Sequence, residues 1–226
     1  MNSKYEINTK ENREFLKASC EELLNFGHRF PSPNGGSYYL GDDGTPWKDR
    51  NRETWITCRM AHVYSLGLML GHEGSGELAD AALKGLKGEL HDEKNGGWYA
   101  GVTPEGDIVP NKQCYAHAFV ILAASSALTA GRPGAKELLE EALAVYDRHF
   151  WNEEEGLACD TWNTEFTVLD DYRGLNANMH TVEAFLAAGD VTGDKKYHIR
   201  AGRTIDHVIQ WAEDNSWRIP EHFTKE

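Results

Sequence analysis

A chain of 226 residues with a formal net charge of −13 can build one domain around a substantial core, and it lacks the clustered Lys and Arg that nucleic acid or an anionic membrane would need. Aromatic residues reach 11%, with seven Trp, a supply that suits core packing or the flat faces of sugars. The four cysteines (Cys20, Cys58, Cys114 and Cys159) show no CxxC spacing, the chain starts polar, and no run approaches the ~20 apolar residues of a membrane span. The expectation is reduced thiols in a single soluble, cytoplasmic domain over 1–226.

In chain order, apolar periodicity predicts helices at about 11–27, 52–71, 75–90, 111–130, 134–149, 175–190 and 194–213. Gly27, Gly71 and Gly131 follow apolar runs as C-terminal caps do, and Arg132-Pro133-Gly134 breaks the chain between two helices. Some connections are short, such as His72-Glu73-Gly74 and Thr192-Gly193-Asp194; three are long, at 28–51, 91–110 and 150–174. In the second long one, 97–100 and 107–109 flank Thr103-Pro104-Glu105-Gly106 and read as a hairpin; 151–164 reads similarly, with Glu155-Gly156 as its turn.

Short and long connections alternate, so helix pairs are joined tightly at one end and loosely at the other. A weak repeat agrees: Cys58-Arg59-Met60 resembles Cys114-Tyr115-Ala116 at an offset of 56, and Tyr115-Ala116-His117 aligns with Asn178-Met179-His180 at 63. Units of about 60 residues built this way predict an all-α toroid of helical hairpins. Its inner helices begin near 52, 111 and 175. Ala118 to Ala124 is apolar all round, as an inner helix is, whereas Glu137 to Leu143 is amphipathic, as an outer one is.

Each inner helix opens with polar or aromatic residues that its apolar body does not explain: Trp55 and Arg59; Lys112, Tyr115 and His117; Asn176, Asn178, His180 and Glu183. In a toroid these starts converge on one mouth, the concave setting of a small-molecule site. Arg59 reads either as a clamp on an oxygen-rich ligand or as a carboxylate's partner. Glu183 shares a helix face with His180, which makes either a tuned acid–base imidazole or a satisfied core pair. His117 borders an apolar run and reads as packing or support. The other histidines have no metal-ligand spacing, and HExxH, zinc-ribbon, GxGxxG and P-loop patterns are absent, so no metal and no cofactor is expected.

The segment Thr54-Trp55-Ile56-Thr57-Cys58-Arg59-Met60-Ala61-His62-Val63-Tyr64 resembles the N-acylglucosamine 2-epimerase superfamily, in its mannose isomerase and sulfoquinovose isomerase branch. So do Gly96 to Tyr99, Lys112 to Phe119, Tyr172 to Ala184 and Arg218 to Phe223, in order along nearly the whole chain. The resemblance implies an (α/α)6 barrel that interconverts an aldose and its ketose, such as D-mannose and D-fructose, without a metal and through a cis-enediol. It implies His180 as a catalytic group, Arg59, Tyr115, Asn176 and Trp55 as substrate-binding residues, and Glu183 and His117 as support. It also implies that this chain corresponds to the N-terminal half, the His/Glu pair and further His that carry out the family's proton transfers lying outside it. Such an open half-ring exposes apolar inner-helix surface, and association of copies is expected. Alternatives are a sulfoquinovose isomerase, or a 2-epimerase of N-acylglucosamine or cellobiose. Outside the family stand a sugar-binding half-barrel without turnover and a glycoside hydrolase, which needs two carboxylates about 5–9.5 Å apart; Asp160, Glu165, Asp170 and Asp171 are its candidates.

Overall fold

Seven helices stand among the described residues, 3–224, of this computed structural model: α1 (Lys10–Gly27), α2 (Thr54–Met69), α3 (Ser75–Leu86), α4 (Cys114–Thr129), α5 (Ala135–His149), α6 (Leu175–Thr192) and α7 (Lys195–Asp214). Local chemistry sets several of the ends. Thr9 caps α1 by accepting from the Asn12 amide, and Asp194 caps α7 by accepting from Lys196. The α2–α3 and α4–α5 turns are built alike. Gly71 and Gly131 take the left-handed conformation (φ +82° and +68°), and His72 and Arg132 then donate back to Gly67 and Ala127.

Gly27 does something different from the cap expected of it. It is the last residue of α1, and a Cβ there would meet the Tyr64 hydroxyl, which donates to the Leu24 carbonyl at 2.8 Å. Glycine is needed at this point for close approach of α1 to α2.

Helices α2, α4 and α6 form an inner row, each packed on the next; α3, α5 and α7 lie behind them, each against its own hairpin partner. Nearly every side chain of α4, the middle of the row, is buried, as its all-round apolar sequence requires, whereas α5 buries only Leu138, Leu139, Ala142, Leu143 and Tyr146 among its larger side chains. Val63, Leu66 and Met69 on α2 and Met179 and Leu186 on α6 stay exposed.

Each unit is also closed by strands. The two or three residues entering an inner helix pair antiparallel with the segment that follows its outer helix: Arg52–Glu53 with Gly101–Val102, Lys112–Gln113 with Thr161–Trp162, and Tyr172–Gly174 with His222–Thr224. The first amide of each inner helix then donates into that same segment: Thr54 to Ala100, Cys114 to Asp160 and Leu175 to Glu221, at the same chain separation every time. This pairing explains why α2 and α4 begin two to three residues later than periodicity suggests. The α3 helix stops at Leu86, short of 90, because Gly85 packs against the backbone of Gly35 and Gly36, and the chain turns there.

Of the two hairpins, the one at Trp151–Asn152 and Leu157–Ala158 forms as expected around Gly156 (φ +68°). The other shifts to Gly101–Val102 with Ile108–Val109, since Trp98 is committed elsewhere: its indole donates to the Leu86 carbonyl at 2.7 Å, deep in the core. The repeat offsets of 56 and 63 are also corrected. Helix starts at Thr54, Cys114 and Leu175 place equivalent residues 60 and then 61 apart.

Candidate active site

In this register the second residue of each inner helix is Trp55, Tyr115 and Asn176, and the sixth is Arg59, Phe119 and His180. Positions four apart share a helix face. Contacts join five of the six, Trp55, Arg59, Tyr115, Phe119 and His180, in one surface at the N-terminal end of the row. Tyr115 lies at the centre, edge-on to Trp55 (ring centroids 5.9 Å), Phe119 (5.0 Å) and His180 (5.1 Å). Phe119 meets the His180 ring at 4.5 Å. The structure therefore brings together Trp55, Arg59, Tyr115 and His180 from three helices.

Arg59 donates from Nη2 to the Tyr115 hydroxyl at 3.2 Å, and its guanidinium lies over the Trp55 and Phe119 rings at 5.0 and 4.8 Å. Among the described residues no carboxylate pairs with it. The carboxylate-partner reading of Arg59 therefore finds no partner, and the guanidinium is an exposed cation held on aromatic faces with N–H groups left over.

His180 Nδ1 meets Glu183 Oε2 at 2.9 Å. A carboxylate only accepts, so Nδ1 donates in this bond, and in the neutral ring the lone pair is then on Nε2. The His180 side chain is 14% exposed against 49% for Glu183, which places the imidazole in the wall and the carboxylate nearer solvent.

Sequence reasoning left out His62. It sits one turn beyond Arg59 on α2, with Nδ1 2.7 Å from the Ser126 hydroxyl of α4, and it feels the charge of Glu183. Burial holds its pKa below the ordinary value while Glu183 pulls the other way. The i+3 step from Arg59 is the signal in the sequence, and metal-ligand spacing does not reveal it. Among the described residues no group of three or more His, Cys, Asp or Glu gathers to hold a metal.

His117 does not join this surface. It is the fourth residue of α4, fully buried; its Nε2 accepts from the Trp98 amide (3.1 Å) and its Nδ1 bonds the Gln113 carbonyl (2.7 Å). The equivalent residues do the same work. Thr57 Oγ1 accepts from the Ser37 amide at 3.0 Å, and Asn178 Oδ1 accepts from the Ala158 amide at 2.8 Å. Each ties the preceding long loop to an inner helix. Burial lowers the His117 pKa to about 3, so the ring is neutral. Lys112 is likewise structural, fully buried with Asp92 at 2.8 Å and donating to the Gly96 carbonyl.

Two features border the mouth. On the α2 side, Glu53 occupies the N-cap position and its Oε2 accepts from both the Trp55 indole and the Tyr39 hydroxyl, the latter at 2.6 Å. Between α4 and α6 lies a cavity of about 230 Å³ lined by Gln113, Tyr115, Asp160, Thr161, Tyr172 and Asn176. Asn176 is thus placed on the far side of Tyr115, facing this notch. Asp160 accepts from the Thr161 hydroxyl at 2.9 Å; burial raises its pKa, opposed by Thr161, Arg173 and the Gly174 amide. Of the other loop carboxylates, Glu165, Asp170 and Asp171 are exposed, and Asp170 Oδ1 accepts from the Tyr172 amide at 2.8 Å.

Comparison with known proteins gives this surface its context. The chain is 42% identical to a D-mannose isomerase of Thermobifida fusca over 214 residues, which is 94% of this chain and 53% of that relative. A crystal structure of a D-mannose isomerase superimposes with a TM-score of 0.85 at 28% identity, over 94% of this chain and 57% of that one. A cellobiose 2-epimerase from Spirochaeta thermophila shares the fold, with a TM-score of 0.80 at 18% identity over 96% and 59% of the two chains. The chain thus spans about half the length of the relatives it matches, and its helical row is part of their (α/α)6 barrel fold. The family model for N-acylglucosamine 2-epimerase (GlcNAc 2-epimerase) matches residues 35–226, and with that share of its length accounted for the chain belongs to the N-acylglucosamine 2-epimerase family.

Proposed function

We propose that the surface at the start of α2, α4 and α6 binds a free aldose and takes part in its conversion to the ketose, D-mannose to D-fructose being the favoured pair. The observation that carries the reading is the convergence of Arg59, Tyr115, Trp55 and the His180–Glu183 pair on one face, in a chain 42% identical to a D-mannose isomerase.

Each group has a role its geometry suits. Trp55 offers an apolar face to a sugar ring, while Arg59 and the Tyr115 hydroxyl bond its oxygens. Asn176 presents both a donor and an acceptor toward the notch. In the isomerisation a base removes the proton from C2, the C1 carbonyl becomes the hydroxyl of an enediol, and reprotonation at C1 with loss of the O2 proton gives the ketose. His180 Nε2 is the group here fitted to take or return one of these protons, and Glu183 holds the tautomer and stabilises the imidazolium. A second acid–base group completes the cycle, and the resemblance assigns it to the part of the relatives that this chain does not match.

The test is NMR in D2O with D-mannose, following loss of the C2 proton signal and growth of D-fructose, with the Thermobifida fusca relative alongside as a control. Exchange that disappears in His180→Ala supports the reading. A folded chain that neither binds D-mannose nor exchanges its C2 proton overturns it.

A further inference from the structure

Three inner helices run parallel with their N-termini at the mouth, so three positive dipole ends and the Arg59 guanidinium face it. Left alone, that arrangement is an anion site. Two of the three ends have a carboxylate of the chain close by, although neither caps its helix. Glu53 stands at the N-cap of α2. Asp160 lies beside the start of α6: a Cβ on Gly174, the N-cap residue, would come to 2.9 Å from its Oδ2.

Asp160 also lines the notch, whose other linings are the neutral polar side chains Gln113, Tyr115, Thr161, Tyr172 and Asn176. The nearest cation, Arg173, lines the cavities on the other side and gives its Nη1 to the carbonyl oxygens of Asp170 and Tyr172 at 2.7 and 2.8 Å. At about 230 Å³ the notch is smaller than a drug-sized pocket and fits one hydroxylated arm of a small sugar.

We propose that Asp160 is a specificity-determining residue: lying beside the α6 N-cap and lining the notch, it admits a neutral hydroxyl-bearing arm of the sugar and refuses a phosphate or sulfonate. This rests on the sugar-binding reading of the mouth, and it selects free sugars over their anionic derivatives. A neutral polyol loses nothing beside a carboxylate that accepts its hydroxyl, whereas an anion meets a like charge at short range in a partly desolvated site.

The experiment measures, by ligand-observed NMR, the affinities of the intact chain for D-mannose and for D-mannose 6-phosphate (31P line broadening for the latter). The readout is the ratio of the two Kd values in the wild type, in Asp160→Asn and in Gln113→Lys. Gln113→Lys places a cation on the same notch without touching the α6 terminus, so the test survives if Asp160→Asn fails to fold. The expected result is a wild-type ratio favouring D-mannose that shifts toward the phosphate ester by about five-fold or more in either variant, the size of one charge at a helix terminus. A wild type that binds both equally, or a ratio unmoved in both variants, overturns the proposal. A gain for the ester in the variants with no D-mannose binding by any of the three proteins keeps the charge filter and overturns the mannose reading. No binding of either sugar by any of them overturns both.

Discussion

His117 and His180 belong to the same inner row, on neighbouring helices, yet one is sealed in loop contacts and the other stands in the wall of the mouth. The difference is their place in the repeat. The fourth residue of each inner helix (Thr57, His117, Asn178) points at a loop and accepts its backbone amide, whereas the second and sixth (Trp55 and Arg59, Tyr115 and Phe119, Asn176 and His180) point at the shared surface or, for Asn176, at the notch beside it. The fourth position therefore selects for any compact acceptor, be it hydroxyl, imidazole or amide. The second and sixth take planar, cationic or titratable groups. Residue type alone does not assign the job.

Changes on the loop side should show in stability, and changes at the mouth in ligand affinity. The largest effect is expected for Lys112→Met, which leaves the Asp92 carboxylate buried without its counter-charge and costs about 3–5 kcal/mol by urea denaturation. Next is His117→Ala, which strips the Trp98 amide of its acceptor and opens a cavity, at about 3 kcal/mol. Affinity lost without stability in His117→Ala would break the distinction.

The acid limb sharpens it further. With the His117 pKa lowered to about 3 from an ordinary 6.5, the unfolded chain binds the extra proton first. This residue's contribution is then complete above pH 6.5 and is lost as pH falls from there toward 3. His117→Asn borrows the acceptor that the next unit uses at Asn178, and it should flatten that limb in pH-dependent denaturation. A limb of unchanged slope would count against a neutral, buried His117. The smallest stability effect is expected for Arg59→Ala, within about 0.5 kcal/mol, with D-mannose affinity falling about ten-fold by titration. An unchanged affinity would return Arg59 to the packing of the helix layer.

Much of the architecture was legible from the chain. Helix starts and stops showed because capping is local: Gly71, Gly131 and Asp194 act on residues next to them. The all-round apolar run of α4 against the amphipathic α5 separated inner from outer layer without any contact map. What escaped depends on residues far apart in sequence. The strand pairs that trim α2 and α4, the Gly35–Gly36 backbone that ends α3, and the Trp98 indole that displaces a hairpin are long-range facts. Side-chain likeness misplaces the repeat register, because the equivalence lies in backbone hydrogen bonds that several side chains satisfy. Trp55, Arg59, Tyr115 and His180 stand in motifs; His62 does not stand out, as its setting comes from a neighbouring helix, and Asp160 reads from sequence only as a candidate hydrolase carboxylate.

The closing bonds from Thr54 to Ala100, Cys114 to Asp160 and Leu175 to Glu221 bear on how the chain finds its fold. Every unit is sealed within itself at one fixed contour length, so no contact between distant ends of the chain is needed before a hairpin pair gains its strand clasp. Folding is then a nearest-neighbour process, in which nucleation in one unit lowers the barrier for the next, and the search cost grows with the number of units rather than with total length.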